Sequence, residues 1–146
     1  MKGSPSMDEP AAVAHEQARR WLRWAAEDLL AAEHSASDTD IAPRVACSLA
    51  QQAAEKAIKA LVVSSDLDPP KTHNLLRLAR ILTEETADQL LEVDLEELTR
   101  WAIEGRYPED LDEATSTDAT RAVELARQIT ALAYSTLERG RMNGGQ

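Results

Sequence analysis

The chain has 146 residues, 26 of them acidic and 16 basic, giving a formal net charge of -10. That length suits one domain around a single core, and that charge disfavours DNA or any extended polyanion unless a local basic cluster supplies the attraction. A single cysteine, Cys47, excludes an intrachain disulfide and cysteine-based zinc clusters, and it reads as a small buried filler in a reducing compartment.

Hydrophobic residues form 43% and charged residues 29% of the chain, a balance that folds rather than remains disordered. No apolar run reaches the length of a membrane span, and MKGSPSMDEP lacks the apolar centre of a signal peptide. The expectation is a soluble cytoplasmic protein with a flexible leader over 1–9, one helical domain over 10–140 and a flexible tail over 141–146.

Pro10 suits a first helical turn, and the spacing of Ala18, Leu22, Ala25, Leu29 and Ala32 predicts helix one to about Ser35. Asp40 is the expected cap of helix two, from about Ile41 to Ser64, with Pro43 in its first turn. Ala46, Ala50, Ala53, Ala57 and Ala60 follow four-three spacing there, so a neighbouring helix can approach closely. Pro69 and Pro70 then force a connector.

Thr72 is read as the cap of a short third helix, His73 to Leu82. Thr86 and Gln89 have capping-box spacing for a fourth helix, with Leu91, Leu95, Leu98 and Ala102 inward and an end near Gly105. A polar segment, RYPEDLDEATS, precedes a last helix capped by Thr117 and running to about Arg139. No strand is predicted. The fold class is all-α, an up-and-down bundle of four main helices plus one short helix.

Four blocks in this order carry more than a generic bundle: WAAEDLLAA from Trp24, SLAQQAAEKAIKAL from Ser48, PPKTHNLLRL from Pro69 and GRYPED from Gly105. Together they resemble the HEPN domain family over most of the chain. The resemblance implies a helical bundle, commonly a homodimer, of prokaryotic origin. It also implies a module whose other half is a minimal nucleotidyltransferase, in some cases a toxin-antitoxin pair. Other branches of the family are metal-independent ribonucleases, and the family name records a proposed nucleotide-binding role.

The nuclease branch carries an arginine followed four to six residues later by a histidine. The guanidinium holds a phosphate through its fork of donors, and the imidazole transfers protons during attack by the ribose hydroxyl. Here the histidines are His15, His34 and His73, none of which follows an arginine at that spacing, and acids follow Arg106. Ribonuclease activity is therefore disfavoured. No cofactor or metal site is expected, since there is no glycine-rich phosphate loop, zincin motif or Glu-x-x-His pair.

Lys71 and His73 read either as an anion site near a helix start or as a lysine beside a packed bundle-end histidine, the second being preferred. Arg106 and Tyr107 read as a phosphate-binding and base-stacking pair, or as structural residues: Tyr107 plugging the bundle end and Arg106 paired with Glu104 or Asp28. Glu55 can pair with Lys59 on helix two. Gln52, Lys56, Lys59 and Trp24 are interface candidates. Three tryptophans in a chain with no phenylalanine favour a homodimer, because they cannot all lie on the central stripes.

Two functions remain. One is a homodimeric interaction module working with a separately encoded nucleotidyltransferase-like partner. The other is a nucleotide-binding or RNA-acting protein using Lys71, His73, Arg106 and Tyr107.

Overall fold

Residues 8–103 and 106–144 are described by the computed structural model, and they contain no strand. Helix α1 spans Asp8–Ser37, α2 Pro43–Ser64, α3 Leu75–Ala79, α4 Glu84–Leu91, α5 Leu95–Thr99 and α6 Ser116–Gly144, with a 3-10 turn at Pro108–Asp110. Most of the expected leader, the expected helix end at Gly105 and the last two residues lie outside the described residues.

Helix α2 is the central element, packed along both α1 and α6, while α1 and α6 also meet each other. The reason lies in its composition. Ala46, Ala50, Ala53, Ala54, Ala57 and Ala60 are all fully buried, so short side chains occupy more than one face and let two long helices approach at once. Ile58 and Leu61 from α2, Leu22 from α1 and Leu125 and Ile129 from α6 fill the core between them. Cys47 is buried there as filler, and burial pushes its thiol up to about 11, which keeps it protonated.

The short element α3 packs on both α4 and α5, and α3 and α5 also lie against α2. Leu75, Leu78, Ala79 and Leu82 point inward as the spacing predicts. The predicted fourth helix, however, is divided. Thr83, not Thr86, caps α4, and Asp94 caps α5 by accepting from the Glu97 amide at 3.0 Å. A carboxylate that bonds the backbone three residues ahead starts a new helix instead of continuing the old one. Leu90 is consequently buried, and Leu91, expected inward, is exposed.

Other caps also move by a few residues. Ala42 precedes α2 without a side-chain cap bond, and Pro43 opens the helix; Asp40 instead donates its amide to Asp38 Oδ1 in a turn. Thr115 caps α6 in a reciprocal box, Thr115 N donating to Asp118 Oδ2 at 2.9 Å and Asp118 N to Thr115 Oγ1 at 3.1 Å. Helix α2 ends on Asp66 at φ 60°, where the Asp66 amide donates to the Val63 carbonyl and the Leu67 amide to that of Val62. These paired bonds are those of a Schellman motif, in which an aspartate takes the left-handed position often filled by glycine.

The alanine faces of α2 make a direct prediction. Ala57→Leu adds a branched side chain where no space exists and is expected to destabilise the fold by about 1–3 kcal/mol, read as a lower urea midpoint at unchanged slope. An unchanged midpoint would show that α2 does not set the helix spacing.

Candidate functional site

On α2, Gln51, Glu55 and Lys59 recur at four-residue spacing, and the first two are buried, Gln51 at 2% and Glu55 at 8% exposure. A carboxylate this deep requires donors. Glu55 Oε1 accepts from Gln51 Nε2 at 3.2 Å and makes a 2.8 Å hydrogen bond with His73 Nδ1; Oε2 accepts from Lys59 Nζ at 2.8 Å. Gln51 Nε2 also donates to the His73 carbonyl at 3.1 Å. Burial alone would raise the Glu55 carboxyl, but the hydrogen bonds from Lys59 and His73, the Lys59 charge and the Gln51 amide outweigh it and hold it below its ordinary 4.5.

His73 lies in the connector before α3, not in a helix. The cap of α3 is Asn74, whose side chain accepts from the Arg77 amide, while Thr72 Oγ1 accepts from the Asn74 amide in a local turn. The prolines keep the preceding residues out of the helix. Gln51, Gln52, Glu55, Lys56 and His73 thus share a cleft of about 440 Å³ with Ala102 and Ile103. Lys71, its neighbour in sequence, is exposed on the connector and lines neither this cleft nor the next.

Across Ile103 lies a second cleft of about 500 Å³, lined by Arg44, Arg106, Pro108 and Asp112 among others. Arg106 Nη1 donates to the carbonyls of Arg100 at 2.9 Å and Ala102 at 3.2 Å, and Nη2 to that of Asp110 at 2.9 Å. Arg100 pairs with Asp112 at 3.5 Å and lies 4.4 Å from the ring centroid of Trp101, which is buried. The loop is therefore tied to itself at both ends. Tyr107 does not plug the bundle end; it is 70% exposed. Asp28 pairs with Lys56 rather than with Arg106, and Glu104 lies outside the described residues.

The structure brings His73 to the Glu55 cluster and places Arg106 with Tyr107 on a separate loop, so the four candidates do not share one cleft. Of the interface candidates, Gln52 donates to Ser48 Oγ at 3.3 Å, and Lys56 bridges α2 to α1 through Asp28. Lys59 pairs with Glu55, as its spacing predicts, and lies 5.6 Å from the Trp21 ring centroid. Trp24 is 41% exposed, edge-on to Trp21 at 5.7 Å. Sequence reasoning missed Gln51 and Glu55 as a polar cluster. Their signal was the run of polar residues every four positions through an alanine-rich helix.

The HEPN domain model matches residues 18–137, and the chain belongs to the HEPN domain family. Among solved structures, TT1696 from Thermus thermophilus is 31% identical with a TM-score of 0.68, the match covering 82% of this chain and 97% of that one. ST0689, an archaeal HEPN homologue, is 25% identical with a TM-score of 0.65 and the same coverage. No functionally curated protein matches.

Glu55→Gln keeps the shape of the cluster and removes its charge. It is expected to cost about 2 kcal/mol and to lower Tm by about 4–8 °C. Because the folded carboxyl lies below its ordinary value, its contribution is complete above about 4.5 and is lost as pH falls through the folded value. The variant should therefore lose less stability than the parent between neutral pH and pH ~3. Equal slopes in the two proteins would exclude the cluster as a source of acid sensitivity.

Proposed function

We propose that the chain is a homodimeric interaction module that binds a separately encoded nucleotidyltransferase-like protein, in a system of toxin-antitoxin type. The observation that carries this reading is the bonding of Arg106. Its guanidinium is committed to three carbonyls of its own loop, and beside it Tyr107 stands in solvent. An arginine held this way stiffens a presented segment, whereas a phosphate-binding arginine needs its fork open to the ligand. The absence of a histidine four to six residues after Arg106 favours the same side.

The dimer is supported by α1. Val13 and Trp24, three turns apart on one side of the helix, are both exposed, and the Arg20 guanidinium lies 5.9 Å from the Trp24 ring. Aromatic and arginine residues on a partly apolar face are typical of contact surfaces.

Co-expression with a minimal nucleotidyltransferase-like protein of the proposed partner type is expected to yield a stable complex, weakened about tenfold or more by Tyr107→Ala (a loss of about 1.4 kcal/mol). A chain indifferent to that protein, or RNA cleavage abolished by Arg106→Ala, would refute the proposal.

Sedimentation at micromolar concentration is expected to give a dimer, and Trp24→Glu a monomer with unchanged helical circular dichroism. A monomeric parent protein would remove the dimer from the reading.

A further inference from the structure

The floor of the 440 Å³ cleft is formed by two neighbouring rows of α2, Gln51 with Glu55 and Gln52 with Lys56, and its apolar wall by Ala102 and Ile103. Its size lies within the range of about 300–1,000 Å³ for small-molecule sites. Gln51 is 2% exposed, and both hydrogens of its Nε2 are engaged, one by Glu55 Oε1 and one by the His73 carbonyl. Turning the amide over would set its oxygen against those two acceptors, so its orientation is fixed.

The other half of that amide is unused. Among the described residues nothing donates to Gln51 Oε1. Nor is the atom sealed in the core, as Trp101 Nε1 and Thr130 Oγ1 are; it opens on the cleft that Gln51 lines. An acceptor on a side chain this deep, facing open space, takes its donor from whatever enters the cleft.

The charges around it are joined in pairs, Lys59 with Glu55 and Lys56 with Asp28. A carboxylate offers about four lone-pair positions, of which Gln51, His73 and Lys59 fill three on Glu55. An ammonium group carries three donors, and Lys56 spends one on Asp28. Accepting capacity is therefore left at Gln51 and Glu55, and donating capacity one residue further along α2, at Lys56. A lone cation or anion gains from one member of each pair what it loses to the other. A ligand carrying both charges close together finds a partner for each.

We propose that this cleft binds a free α-amino acid with a short apolar side chain. Gln51 Oε1 and the remaining position on Glu55 accept from the α-ammonium group, and Lys56 donates to the α-carboxylate. Ala102 and Ile103 cover the side chain, which leaves water on entering. Two opposite charges on one carbon suit acceptors and a donor set on adjacent positions of a single helix. The site uses neither Arg106 nor Tyr107, and its existence does not depend on the partner proposed above.

Titration calorimetry of the full chain with L-valine tests the proposal, beside valinamide, which keeps only the ammonium group, and N-acetylvaline, which keeps only the carboxylate. Valine is expected to bind at least about tenfold more tightly than either analogue. Lys56→Met removes the partner of the carboxylate and should weaken valine about tenfold. Gln51→Met keeps the length of the side chain, removes the acceptor and should act alike. Because Gln51 also braces Glu55 and the connector, Ile103→Trp is the third variant: it fills the cleft from an exposed position and should abolish binding at unchanged Tm. Tyr107→Ala should leave valine binding as it is. The proposal is overturned if the parent shows no binding of valine at millimolar concentration, if either single-charge analogue binds as tightly as valine, or if a folded Lys56→Met or Ile103→Trp protein binds valine like the parent.

Discussion

A carboxylate beneath the surface of a helical bundle persists only if its surroundings replace the water it has lost, and Glu55 is surrounded by three donors. Two of them come from α2 itself. The third, His73, comes from the connector, so satisfying one buried charge also fixes where the chain between α2 and α3 must lie. The Gln51 amide reinforces that placement by bonding both the carboxylate and the His73 carbonyl. The connector wall of the 440 Å³ cleft is thus positioned by polar bonds, although the helices behind it are held by apolar packing.

Much of the architecture was legible because it depends on spacing. The alanines of α2 and the apolar residues of α6 repeat at helical intervals, and burial follows those intervals closely. Caps were less legible, because several Thr, Ser and Asp residues compete for each helix start and the winner depends on tertiary packing. Thr83 and Thr115 cap their helices, although Thr86 and Thr117 satisfy similar local rules. The break before Asp94 has the same origin: an apolar stripe running through Leu91 and Leu95 is compatible with one helix or two.

The site was harder to read than the fold. Gln51 and Glu55 become a functional-looking cluster only when His73 reaches them from 18 residues beyond Glu55, a distance periodicity does not report. Arg106 illustrates the opposite case. Its chemistry invites a phosphate, but three nearby carbonyls claim its donors, and only the folded loop decides between those uses. Ile103 stands between the two clefts, lining both, and so separates a buried ionic cluster from a self-tied loop.

The left-handed residue at the end of α2 bears on the reach of the connector. From Glu55 to Ser64 the helix descends about 14 Å at ~1.5 Å per residue, and the chain must climb back over that distance to bring His73 beside Glu55. Asp66 stops the helix abruptly, so seven steps from Asp66 to His73 are available, with a maximum span of about 23–25 Å. The return is long enough without being taut, and Pro69 and Pro70 stiffen it. Asp66 therefore acts as the anchor of a tether whose slack determines how closely an imidazole can meet a carboxylate about two and a half turns above the end of the helix.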